Sequence, residues 1–201
     1  MRTVVLVSGV GIRKTTTHEH EPRARHGGPV NFQSFIRDIP NFPKPGIIFK
    51  DITPLLANAD AFRAVVDRFA ARYRDRIDMV LGVESRGFIL GAALAYALGR
   101  GLAIVRKPGK LPAQTVAAEY ELEYGADRLE IHRDAFGHPC RVLLVDDLLA
   151  TGGTAGAAIQ LIEHLGGEVV ECAFIIELSF LNGRDKLAPH GVFSLIQYAA
   201  E

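Results

Sequence analysis

Little in this chain ties it to a membrane, a nucleic acid or an oxidising compartment. Lysine and arginine number 23 and aspartate and glutamate 23, so the formal net charge is zero. That balance argues against nucleic acid as the main partner, though not against a locally basic pocket. There are only two cysteines, Cys140 and Cys172, without metal-ligand spacing. A disulfide between them stays open, and reduced thiols are the simpler reading. No apolar run approaches the roughly 20 residues that a membrane helix needs. The opening Val4-Val5-Leu6-Val7 is too short for a signal-peptide core. A cytoplasmic protein without a membrane partner is expected. What remains is ordinary globular material, 48% hydrophobic and 23% charged over 201 residues, enough for one domain with a real core.

The chain divides by composition. Residues 1 to 30 hold His18, His20, His26 and breakers at Pro22, Gly27, Gly28 and Pro29, and read as a mobile or atypical N-terminal extension. One domain is expected over residues 31–201. Within it, Asn31 to Asp38 reads as one or two helical turns. Pro40, Pro43, Pro45 and Gly46 then impose an ordered turn or extended crossing. Phe62, Val65, Val66, Phe69 and Tyr73 fall at helical spacing, with Asp60 as the expected cap. Met79 to Val83 reads as a short buried strand, and Glu84-Ser85-Arg86-Gly87 as the turn beyond it. Phe88 to Leu98 is apolar nearly all round, which predicts a deeply buried helix stopped by Gly99. Further strands are expected at 102–105, 142–145, 169–178 and 193–198. Arg106 to Arg133 is long, charged and punctuated by Pro108, Gly109, Pro112 and Gly125, and reads as a functional or mobile loop. Alternating strands and helices predict an α/β fold, with an open, mostly parallel sheet flanked by helices.

The densest chemistry lies at Val142 to Thr154, VLLVDDLLATGGT. A buried strand there ends in Asp146 and Asp147. A small hydroxyl-bearing glycine loop follows and enters a helix. In open α/β sheets ligands bind beyond the carboxyl ends of the strands. The loop offers backbone N–H groups to a phosphate, helped by the helix dipole. Paired acids beside it suggest a sugar phosphate. Adjacent acids facing one pocket repel unless a cation or hydroxyls lie between them.

A second candidate, VVLVSGVGIRKTT from Val4, resembles a strand entering a nucleotide P-loop. That loop needs glycine where Ser8 and Arg13 stand, and the proline-broken stretch from His18 cannot supply its helix.

The motif at 142–154 resembles the phosphoribosyl-pyrophosphate (PRPP) motif of the type I phosphoribosyltransferases. Four more blocks, in the family's order, point to its adenine-specific branch: Phe42 to Pro54, Glu84 to Phe88, Arg106 to Pro112 and Tyr120 to Gly125. The resemblance runs from about residue 31 to the C-terminus. It implies a small hood within about 31–56, a mobile lid within about 106–133, and a homodimer. It also implies transfer of the 5-phosphoribosyl group from PRPP to N9 of adenine, giving AMP and pyrophosphate with Mg²⁺. By the same resemblance Asp146 and Asp147 hold the ribose hydroxyls, and Ala150, Thr151, Gly152, Gly153 and Thr154 bind the 5-phosphate. Arg86, Arg106, Lys107, Lys110 and Tyr124 are the candidates for pyrophosphate, and Glu123 for the proton transfer at adenine N7, with Glu121 as its rival. The main chain around Ile48 and Lys50 would read the base. Many members carry arginine where this chain has Lys50. No residue is expected to ligate the metal directly, because PRPP and pyrophosphate carry it. Two competing functions are the same chemistry on another base, such as xanthine, and a PRPP-sensing regulator without catalysis. The regulator should lack the lid acid and usually adds a DNA-binding domain.

Overall fold

Proline and glycine between residues 40 and 46 turn the chain back on itself and set two short strands side by side. The computed structural model describes residues 30–122, 125–137 and 139–200. In it β1 (Arg37–Pro40) pairs antiparallel with β2 (Ile48–Asp51). The helix expected over 31–38 is only a 3-10 turn at Phe32–Phe35 before β1 begins. Pairing with β2 competes successfully with a weak local helix signal.

Two helices follow, α1 (Thr53–Ala57) and α2 (Ala59–Tyr73). The cap of α2 is Asn58 rather than Asp60: its Oδ1 accepts from the Ala61 N–H at 2.9 Å. Asp60 falls inside the first turn, where its charge favours the helix dipole. The chain continues through β3 (Met79–Val83), α3 (Arg86–Leu98) and β4 (Gly101–Val105).

The stretch expected as a loop after β4 is largely a hairpin. Strands β5 (Thr115–Leu122) and β6 (Gly125–His132) pair antiparallel from Thr115 opposite His132 to Leu122 opposite Gly125. Ala118, Leu129 and Ile131 of the hairpin are buried in the core, which pays for ordering a segment whose charges read as solvated. Then come β7 (Cys140–Leu149), α4 (Gly153–His164), β8 (Gly167–Leu178) and β9 (Val192–Tyr198).

The central sheet has five strands in the order β4-β3-β7-β8-β9, every neighbouring pair parallel. Successive residues of a strand face opposite sides, and the core divides accordingly. Leu81 and Leu144 join α4 and the hairpin on one face, while Val80, Leu143 and Val145 join α1, α2 and α3 on the other. Both faces are covered, which is why these strands are continuous apolar runs rather than alternating ones. Helix α3 departs from its expected full burial. Leu90 and Leu94 face the sheet, but Ile89 is 45% and Tyr96 91% exposed. Gly99 ends it in the left-handed conformation, φ +63°. Cys140 and Cys172 are both free and buried. Among the described residues no helix is long and apolar enough to cross a membrane.

Candidate active site

Strand β7 runs past Val145 to Leu149, so Asp146 and Asp147 lie within its C-terminal end rather than in the loop beyond. The backbone turns at Gly152, φ +82°, and α4 starts at Gly153. Residues Glu84 to Arg86, at the end of β3, face this turn. Together they enclose a cleft of about 320 Å³, lined by Glu84, Ser85, Arg86, Asp146 to Ala155 and Phe174. The structure thus brings together Arg86, both acids and the whole Ala150–Thr154 loop. The close approach of α3 depends on Gly87, where a Cβ would sit 2.8 Å from both the Asp146 Oδ1 and the Val145 carbonyl oxygen.

The two acids differ in their surroundings. Asp147 is buried and accepts from Nε of Arg86. Asp146 keeps part of its surface on the cleft, and its Oδ1 accepts from the Asp147 N–H at 2.8 Å. Burial, with the Asp147 charge added, pushes the Asp146 carboxyl well above the ordinary carboxylate range. A deep acid of this kind favours hydroxyl groups or a cation as neighbours.

Arg106, Lys107 and Lys110 lie outside the cleft lining, and the first two are paired with acids. Arg106 donates from Nη2 to Glu84 at 3.0 Å, and the Lys107 N–H donates to the other Glu84 oxygen at 2.8 Å. The Arg106 guanidinium holds Glu84 below its usual range. Lys107 Nζ meets Asp127 at 2.8 Å, and the Tyr120 hydroxyl reaches the same Asp127 oxygen at 3.2 Å. Lys110 is exposed, and its carbonyl accepts from Arg106 at 3.1 Å. Glu123 and Tyr124 lie outside the described residues. Glu121 stands opposite Ala126 in the hairpin.

Ile48 and Lys50 do not line the cleft either. Lys50 is buried, with Nζ 2.9 Å from Asp38 and 4.2 Å from the centre of the Tyr198 ring. Its side chain is therefore committed to the small sheet and β9. Phe49 does reach the site: the Arg86 guanidinium lies 5.2 Å from its ring centre, and Phe42 packs edge-on against it.

Residues 55–195 match the phosphoribosyl transferase domain model. An adenine phosphoribosyltransferase of Chloroflexus aurantiacus is 63% identical over 166 residues, covering 82% of this chain and 96% of that protein. The chain belongs to the adenine phosphoribosyltransferase family. Among solved structures, the adenine phosphoribosyltransferase of Thermoanaerobacter pseudethanolicus is 52% identical with a TM-score of 0.81, covering 83% of this chain and 98% of that one. The Saccharomyces cerevisiae enzyme, complexed with adenine and an imino-altritol bisphosphate, is 43% identical with a TM-score of 0.79, over 82% and 96% of the two chains.

Phosphoribosyltransferases in general use PRPP with a divalent metal. Among the described residues no group of three or more His, Cys, Asp or Glu side chains could hold an ion alone. Asp146 and Asp147 fit a cation brought in with the substrate, because a charge near Asp146 would offset the cost of ionising it.

Two acids without a signal in the sequence hold the candidate cations. Glu84 binds both Arg106 and the Lys107 backbone, and Asp127 holds Lys107. Glu84 lies in the Glu84 to Phe88 block, but its type alone gives it no role. Asp127 carried no local signal, and only the hairpin register places it.

Proposed function

We propose that this chain transfers the 5-phosphoribosyl group of PRPP to N9 of adenine, releasing pyrophosphate and forming AMP. The observation that carries the reading is one cleft holding Asp146, Asp147, the Ala150–Thr154 loop and Arg86 together. As the bond from C1 to pyrophosphate loosens, positive charge grows on the ribose. Held hydroxyls, a neutralised leaving group and an aligned nucleophile are then what the protein must supply.

The acids hold the ribose hydroxyls and favour the growing charge. Main-chain N–H groups of Ala150 to Thr154, with the Thr151 and Thr154 hydroxyls, bind the 5-phosphate. Arg86 turns from Asp147 to pyrophosphate, for which its planar fork is suited. Arg106, Lys107 and Lys110 approach the same group when the hairpin, acting as a lid, closes and expels water. Arg106 has a buried Nε–H without a partner among the described residues, a donor available to an incoming oxygen. Tyr124 helps to seal the lid over pyrophosphate. Glu123 gives a proton to adenine N7 as water takes up the N9 proton, and takes the N7 proton back as the N9–C1 bond forms, which leaves neutral adenine in AMP and Glu123 reset. Main-chain groups at Ile48 and Lys50 read the base edge, in a hood over 31–56. Mg²⁺, carried by PRPP and pyrophosphate, neutralises leaving-group charge when bound.

A homodimer fits the open face of α3. Ile89 and Tyr96 are two helical turns apart and so share a side, and Leu102 of the edge strand β4 is also exposed. A cytoplasmic setting suits the two free thiols.

The test is competition among adenine, guanine, hypoxanthine and xanthine for limiting PRPP, with the intact chain and Glu123→Gln. Adenine-selective turnover, cut by about a hundredfold in the variant, supports the reading. Selectivity for another base would overturn the substrate, and an unaffected variant would remove Glu123 from its role.

A further inference from the structure

The Ala150–Thr154 loop is shaped from behind by a part of the chain that is not in the cleft. Gly183 opens the 3-10 turn Gly183–Leu187 and is buried. Its backbone lies directly against the loop. A Cβ on Gly183 would overlap the Ala150 carbonyl oxygen and stand 3.0 Å from the Gly152 nitrogen, while a Cβ on Gly152 would be 2.5 Å from the Gly183 carbonyl oxygen. Two glycines back to back let two main chains touch. Neither has room for a side chain.

The turn is fastened to the sheet at the level of the loop. Arg184 donates from Nε at 3.0 Å and Nη2 at 2.6 Å to the two oxygens of Glu177, and from Nη1 to the Val192 carbonyl at 2.8 Å. Glu177 is buried and also accepts from Ser194 at 2.6 Å and Gln197 at 3.2 Å. In the β7–β8 register Glu177 stands opposite Leu149, the residue just before the loop. Asn182, at φ +52°, turns the chain so that Gly183 meets Ala150 and Arg184 meets Glu177. A two-pronged arginine–carboxylate pair is directional, so it fixes the orientation of the turn as well as its distance.

We propose that Gly183, held by the Arg184–Glu177 clamp, is a positioning residue that sets the Ala150–Gly152 backbone so that its N–H groups converge on one phosphate. The inference rests on the phosphate reading of that loop. A cradle of main-chain donors has no side-chain rotamers with which to adjust, so its precision comes from what lies behind it. Even a methyl group at position 183 must displace the loop, and small displacements of donors cost much binding.

The experiment measures binding of ribose 5-phosphate and of pyrophosphate separately to the full chain by calorimetry, with KM values for PRPP and adenine alongside. For Gly183→Ala the expected result is ribose 5-phosphate binding weakened by about ten- to a hundredfold and KM for PRPP raised in parallel. Pyrophosphate affinity and KM for adenine should stay within about twofold. Should that variant not fold, Arg184→Ala should give a smaller loss with the same selectivity, and Arg184→Lys should restore part of it. Unchanged ribose 5-phosphate binding, or equal losses for every ligand, would overturn the proposal. An intact chain that binds no ribose 5-phosphate would overturn the phosphate reading itself, and this inference with it.

Discussion

Arg86 donates its Nε–H to Asp147, so a candidate pyrophosphate ligand and a candidate ribose ligand are bonded to each other across the cleft. On the proposed reading each exchanges that partner for substrate. Asp147→Asn removes the charge but keeps an oxygen acceptor, which loosens Arg86 without deleting it. A hydrogen bond to a charged group contributes about 1.5–3 kcal/mol. The variant should therefore bind pyrophosphate about tenfold more tightly, while its kcat falls because one ribose ligand is weakened. Calorimetry with pyrophosphate and steady-state turnover read the two effects. Weaker pyrophosphate binding would show that Asp147 orients Arg86 for its anion rather than competing with it.

Asp127 occupies Lys107 in a similar way, but near the surface. Partly exposed pairs contribute about 0–1 kcal/mol, so Asp127→Asn should leave the thermal midpoint nearly unchanged. With Lys107 released, inhibition by pyrophosphate should strengthen by roughly two- to fivefold, and the gain should shrink as salt screens the charge. Product-inhibition constants at low and high salt test this.

Asp146 couples function to stability. Its carboxyl is held well above the ordinary aspartate range, first by burial and then by the neighbouring Asp147 charge. The folded chain therefore binds that proton more tightly than the unfolded chain. As pH rises from the unfolded value towards the raised folded one, the unfolded state releases its proton first and the folded state loses stability relative to it. Asp146→Asn cannot ionise and still offers Oδ1 to the Asp147 N–H. It should melt a few degrees higher than the parent at about pH 7.5, with the gap closing towards about pH 4. Its turnover should be strongly reduced. Thermal scans across pH settle the sign, and a variant less stable at neutral pH would contradict it.

Tyr96 is 91% exposed on a helix that is apolar from Phe88 to Leu98. Placing a charge in the centre of a self-association face disfavours it strongly. Sedimentation of the intact chain should give a dimer, and Tyr96→Arg should shift it towards monomer. A monomeric parent would leave Tyr96 a plain surface residue.

The β7 strand, its two acids and the glycine loop were legible in sequence because the signals are local: an apolar run, then carboxylates, then small residues entering a helix. The hairpin was not. Its strands look charged and interrupted, and Ala118, Leu129 and Ile131 become core only once they lie on the sheet. The open face of α3 was equally hidden, since an apolar side chain reads the same whether it faces an interior or an unpartnered surface. Glu84 and Asp127 meet their partners across 22 and 20 residues of chain, and no periodicity reports such pairs. Arg106 and Lys107 were legible as cations, but not as cations already paired.

The most direct measurement is the rate of AMP formation from adenine, PRPP and Mg²⁺ by the intact chain and by the Asp146→Asn/Asp147→Asn double variant, each first shown to be folded by circular dichroism. Loss of both cleft carboxylates should lower turnover by at least about a hundredfold, while the intact chain makes AMP in step with pyrophosphate. AMP formation at the parent rate by the folded double variant would contradict the claim that this cleft carries the transfer.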